Sequence, residues 1–400
     1  MNTRPLFFAL AVLSACGTPM PTTDAGPTSD GGYFTYFTAP TGSVNNSLLV
    51  SITGEASATE GTGFPPASDG EPYFIDGWEL TYEHVLVTVG GVTVSENPDL
   101  NPNDQSATGA LVAEVTGPWA VDLAKPGPLA AKEQNGRAWP LTRIATQNKK
   151  SGTPAFDPTS KYAFGFSLVP AVEGAQAVNL DLDAETAYRT MAQNGWTVLL
   201  QGTATWKGAQ SAPPCRATDT TYDFARFPKA VKFSLGFKAP VNFTNCANPE
   251  LSPADSRGVQ TSTSAQTTAQ LTFHLDHPFW EALTEDAPLR FDVLAARKSV
   301  MSGAGPASVE LTTADLMFDL QAPKDAQGAA IPWRTCGPAQ AGERTTGTVA
   351  LDPVNVPVNP AGGAAGLANA LDYMTYNLSS FGHLNNDGLC FPARQYPSPR

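Results

Sequence analysis

Two stretches dominate the pattern of apolar and polar positions along the chain. The first is 73–94, YFIDGWELTYEHVLVTVGGVTV, dense in β-branched and aromatic residues. Its period of two predicts strands rather than helix. Gly90-Gly91, between Val89 and Val92, offers the positive φ of a two-residue hairpin turn. Before that turn, Trp78, Leu80, Tyr82, His84 and Leu86 fall on one face, and Val85, Val87 and Val89 on the other. A strand apolar on both faces is expected to be covered on both sides, with His84 among buried neighbours.

The second stretch is 271–283, LTFHLDHPFWEAL. Leu271, Phe273 and Leu275 alternate with Thr272, His274 and Asp276, so a strand presents His274 and Asp276 on its polar face. Asp276 is a good helix N-cap, and His277-Pro278 suits a first helical turn. Phe279, Trp280 and Leu283 would then form the buried stripe of a short helix.

The same reading gives strands at 48–52, 111–123 (broken at Gly117-Pro118), 162–169, 196–206, 231–243 (interrupted at Pro240) and 289–294. A helix starts at Asp183 and is ended by Asn194-Gly195. Another spans 364–378, and a third is expected to start near Thr312. Residues 55–72 read as a Gly/Ser/Pro loop. Residues 124–158 stay ambiguous, and 349–358, punctuated by prolines, allow only an edge strand or extended segment. The expected fold is mainly β, a large antiparallel sandwich-like domain with a few short helices. Composition agrees, since 15% charged residues with 35 Gly and 35 Pro mark a turn-rich β chain. With 400 residues there is room for a large core. The folded region is read as 41–400, either one unit or two subdomains, about 41–210 and 211–400.

The N-terminus changes the picture. Arg4 precedes a short apolar run, 5–13, PLFFALAVL, too short for a permanent membrane span and fitting a signal peptide over 1–15. Leu13-Ser14-Ala15-Cys16 then resembles the lipobox of bacterial lipoproteins. That resemblance implies cleavage before Cys16, lipidation of its thiol, and a membrane partner reached through the lipid. Gly17, where an aspartate would signal inner-membrane retention, points to the outer membrane. Residues 17–32, GTPMPTTDAGPTSDGG, have almost nothing to bury, so 16–40 is expected to act as a lipidated, disordered tether.

The formal net charge of −13 and the lack of any basic run longer than Lys149-Lys150 argue against nucleic-acid binding. Besides Cys16 there are Cys215, Cys246, Cys336 and Cys390. An even number in an exported chain implies two disulfides. Three pairings are open. The simplest joins Cys215 to Cys246 and Cys336 to Cys390, closing one local loop each.

Candidate chemistry centres on histidine, of which the chain has 4. His274 and His277, with Asp276 between them, sit where a strand end and a helix start can aim side chains at one point. Neutral imidazoles with an occasional carboxylate are what a borderline cation prefers. Set against this, H-x-x-H is a weak pattern, and His274 can equally be a surface residue with Asp276 a simple cap. No G-x-S-x-G, H-E-x-x-H or phosphate-binding glycine loop is present, so no enzyme is expected.

Four stretches taken together resemble a loose group of uncharacterised exported bacterial lipoproteins: 74–78 with the strand after it, 196–205, 274–280, and 381–390. The resemblance implies that the last two occur together. His274, His277 and His383 would then supply three metal ligands, with Asp276, Asp387 or His84 as a fourth or as a supporting group. Zinc or copper is the implied ion. Similar proteins carry an acidic calcium loop after the strand equivalent to 289–294. Here 295–310 offers Arg297, Lys298, serines and glycines, so no calcium is expected. The competing expectation is a structural or ligand-binding surface lipoprotein without metal.

Overall fold

The computed structural model describes residues 32–67, 71–133, 136–208, 222–253, 256–281, 287–301, 308–319, 323–331 and 369–394. The expected signal peptide, Cys16, residues 17–31 of the expected tether, Cys215, Cys336 and the segment 349–358 lie outside the described residues, whereas Tyr33, Phe34 and Thr35 of that tether pack on the domain, with Thr35 bridged to Gln176.

Two sheets share one core. In chain order the strands are β1 (Leu48–Thr53), β2 (Trp78–Ser95), β3 (Leu111–Asp122), β4 (Leu129–Ala130), β5 (Arg137–Ile144), β6 (Ala163–Leu168), β7 (Gln176–Ala177) and β8 (Val198–Trp206). They continue with β9 (Ala230–Phe237), β10 (Val241–Thr244), β11 (Thr267–Phe273), β12 (Val309–Thr312), β13 (Gly382–Leu384), β14 (Gly388–Leu389) and β15 (Phe391–Arg394). One sheet runs β14-β13-β11-β1-β5-β4, and the other β12-β9-β8-β2-β6-β10-β15, with β3 and β7 attached to β2. Both are mixed, because β1 pairs in parallel with β11 and β9 with β12. Both sheets combine strands from either side of residue 210. Apolar side chains of the two sheets, among them Ile52, Leu271 and Phe273 from one and Val85, Phe166 and Phe243 from the other, meet in a common interior.

The helices are α1 (Glu55–Thr59), α2 (Leu182–Asn194), α3 (Asp292–Ala295) and α4 (Ala370–Leu378). Helix α2 starts one residue before the expected Asp183 and ends at the expected Asn194-Gly195. Asp181 caps its start by accepting from the Ala184 amide at 2.9 Å, and Gly195 ends it in the left-handed region at φ 66°, where glycine costs least. Its Ala184, Tyr188 and Met191 cover Leu86, Ala120 and Leu199 on the outer face of the larger sheet in a second cluster.

Several expectations are corrected. Gly90-Gly91 is no turn: β2 runs straight through it, paired with β3 and β6 on either side, and the register of both pairings shifts between Val89 and Gly91. Neither glycine has positive φ. A Cβ on Gly90 would lie 2.5 Å from the Val169 side chain, so the glycine serves a close approach at a bulge. A second register shift lies between Tyr82 and His84. One extra residue there flips the alternation. Trp78 and Leu80 before it, and Val85, Val87 and Val89 after it, all face the common interior, while Leu86 faces α2. His84 therefore does not share a face with Trp78 and Leu80.

Residues 289–294 form no strand. Leu289 makes only isolated bridges to Phe74 and Trp280, and α3 follows. The helix expected at 277–283 is a single 3-10 turn, His277–Phe279, and Leu283 lies outside the described residues. The stretch 55–72 opens with α1 rather than a loop. Cys246 is bonded to Cys390, which excludes the local pairings. The reason is long-range: β10 and β15 are antiparallel neighbours with Thr244 opposite Phe391, so the cysteines just outside that pair meet across the sheet edge.

Candidate metal centre

The site forms where three strand ends meet. Strand β11 ends at Phe273, with His274 next. Its antiparallel neighbour β13 sets His383 opposite Thr272. Its parallel neighbour β1 sets Thr53 opposite Thr272, so the residues just past the two strand ends, Glu55 and His274, emerge side by side. His277 enters from the 3-10 turn, which packs against α4. The polar face of β11 is buried rather than solvated. The Gln270 amide donates to Asn385 Oδ1 at 2.9 Å, and the Asn386 amide donates to Thr272 Oγ1 at 3.1 Å. These bonds fasten the loop after β13 over the strand. The Cys246–Cys390 bond secures the chain just beyond it, since Leu389, beside Cys390, pairs with His383.

His274, His277 and His383 converge, with one ring nitrogen of each within 4.8 Å of the others. Tetrahedral ligands about 2 Å from one ion lie roughly 3.3 Å apart, so small ring rotations close the gap. His274 and His383 stack face to face at 4.1 Å between centroids, and that stack must splay for their in-plane lone pairs to converge. His277 stacks on Trp280 at 3.8 Å. His277 and His383 are buried, while His274 keeps 19% of its side chain exposed and is the side from which solvent reaches the cluster.

Hydrogen bonding leaves ring nitrogens available. The Ser380 hydroxyl donates to the Asn377 carbonyl at 2.9 Å and lies 3.2 Å from His277 Nδ1. With its proton committed, it accepts from Nδ1–H, so Nε2 carries the His277 lone pair. Both nitrogens of His383 are buried without a hydrogen-bond partner, and the buried Nε2 of His274 faces Glu55 Oε1 at 3.5 Å. The carbonyls of Asp387 and Ser380 approach the His383 ring without reaching bonding geometry. Each such group left unpaired costs about 1–3 kcal/mol, and a metal ion is one of the few species that satisfies imidazole nitrogens in a dry cluster.

The electrostatics also favour a cation. Burial, with His274 nearby, pushes His383 down to about 3. Burial, with His383 and His274 adding, holds His277 well below its usual value. Both are therefore neutral near pH 7, the form that binds metal. Burial also works against protonation of His274, but the carboxylates of Glu55, Asp276 and Asp387 outweigh it and raise that pKa.

Of the expected ligand set, the three histidines are brought together and the suggested fourth groups are not. Asp276 is outside the convergent group. It makes no cap bond, and its carboxylate accepts from Trp280 Nε1 at 3.0 Å. Asp387 is exposed and bonds the Asn386 side chain. His84 sits on β2 with Nδ1 2.7 Å from buried Asp122, beside Lys125 and Asp181. His383 lies within β13. The group that sequence reasoning missed is Glu55, whose Oε1 lies 3.5 Å from His274 Nε2. Only the parallel pairing of β1 with β11 brings it there, and no local pattern announces that pairing. Comparison with protein-family models, curated proteins and solved structures gives no match to this chain.

Proposed function

We propose that this protein binds one transition-metal ion of the zinc or copper class through His274, His277 and His383, as a lipid-anchored protein of the bacterial outer membrane. The observation that carries the metal reading is the convergence of three of the chain's 4 histidines, drawn from two distant segments, with His383 buried and unpartnered at both nitrogens. All-imidazole donors suit zinc or copper better than hard cations such as calcium or magnesium. The role proposed is binding; no reaction is assigned. The lipid anchor rests on the run before Cys16, and labelled palmitate should enter the wild type and not Cys16→Ala.

One observation favours the alternative, a surface lipoprotein in which the cluster serves only the fold: the parallel stack of His274 on His383 packs as any aromatic pair does. Elemental analysis of protein isolated without chelating resin separates the two readings. About one zinc or copper per chain is expected; a metal-free protein that also takes up neither ion on titration would favour the structural role.

A further inference from the structure

Glu55 combines three features that the fold alone does not require. It sits in the left-handed region at φ 59°, a conformation that costs a non-glycine residue on the order of 1 kcal/mol. Its Oε1 is buried without a hydrogen-bond partner, as is His274 Nε2, and the two lie 3.5 Å apart. Yet Glu55 is not part of the group in which the three histidines converge. It lies beside His274 Nε2, on strand ends held in step by the β1–β11 register.

We infer that Glu55 is the positioning residue for His274: it accepts the Nε2 proton, so that Nδ1 is the nitrogen that meets the ion. This rests on the metal reading above. A carboxylate behind a metal-bound imidazole fixes the tautomer and raises the basicity of the ligand. The site then holds two histidines in opposite senses. Ser380 takes the Nδ1 proton of His277 and leaves Nε2 for the ion, whereas Glu55 takes Nε2–H of His274 and leaves Nδ1. The Glu55 charge adds to the preference for a divalent ion.

Two measurements on the folded, disulfide-bonded chain test this. Isotope-labelled histidine in the zinc-loaded protein reports the tautomer of each ring by long-range proton–nitrogen spectra. His274 should carry its proton on Nε2 and His277 on Nδ1. Zinc affinity, read by competition with a chromophoric chelator, should fall roughly 10–100-fold in Glu55→Gln. Glu55→Gly controls for folding. Glycine is unstrained at φ 59°, so the metal-free variant should melt no lower than the wild type, and by roughly 2 °C higher, while losing affinity as Glu55→Gln does. Zinc on Nε2 of His274, or Glu55→Gln affinity within about twofold of wild type against the expected loss, overturns this inference alone. A wild type that takes up no zinc overturns the metal reading with it.

Discussion

The chain holds its histidines in two contrasting environments. His84 is satisfied by its own fold: Nδ1 meets Asp122 at 2.7 Å, and Asp122 also accepts from the Val85 and Ala124 amides at 3.0 and 3.1 Å. Lys125 bridges Asp122 to Asp181, closing a charge network. At the other site three imidazoles crowd together, ring nitrogens lack partners, and the carboxylates of Glu55, Asp276 and Asp387 act on His274. A histidine used for structure finds its partner within the chain. Three clustered imidazoles without such partners are the geometry from which the metal proposal starts.

The largest test of that contrast removes the covalent support on one side only. Replacing Cys246 and Cys390 by serine should destabilise the fold by on the order of 4 kcal/mol, since the bond closes a loop of sequence separation 144. Zinc affinity should fall with it by about tenfold, because β13 and β14 lose their tie, while the His84–Asp122 pair stays intact. Chemical unfolding and chelator competition read the two effects separately. Unchanged affinity would mean that the hydrogen bonds of Asn385 and Asn386 alone hold His383.

A smaller effect is expected on the other side. His84→Ala leaves buried Asp122 with two amides and Lys125, and should cost about 1–2 kcal/mol of stability with zinc affinity unaltered. A drop in affinity would show that the two environments are coupled.

The pH dependence of the metal-free protein should separate His277 and His383 from His84 by sign, with His274, whose pKa is raised, on the side of His84. Burial and neighbouring imidazoles hold the pKa of His383 and His277 below the unfolded value. Between the folded and unfolded values the unfolded chain binds more protons. Each of these histidines therefore makes stability fall as pH drops below about 6.5, by up to about 1.4 kcal/mol per unit. His84 is shifted the other way, chiefly by its hydrogen bond to Asp122. Its contribution is fully present below about 6.5 and fades as pH rises through its raised folded value. Urea midpoints of wild type and His84→Ala between pH 5 and 8 should diverge toward acid. Parallel curves would remove the distinction.

What the sequence made legible was local. The β-rich class, the strand at β2 and the Asn194-Gly195 end of α2 follow from alternation and capping residues, whereas the meeting of 274–277 with His383 was implied only by the resemblance of those stretches to exported lipoproteins. What it hid depends on pairing between distant segments. Gly90-Gly91 looks like a turn because the same two residues serve a turn or a bulge, and only the approach of Val169 decides between them. The inserted residue between Tyr82 and His84 leaves no compositional trace, so the facing of His84 was misread. Cys246 found Cys390 through the β10–β15 pair, and Glu55 reached His274 through the β1–β11 register. Neither partner is near in sequence.

The central claim is that the three histidines share one ion. Crystals grown or soaked with zinc, with data collected on both sides of the zinc absorption edge, test it most directly. The account predicts one anomalous peak about 2 Å from a nitrogen of each of His274, His277 and His383, with the His274–His383 stack opened around it. A zinc-soaked crystal with the stack closed and no peak among the three rings would contradict it.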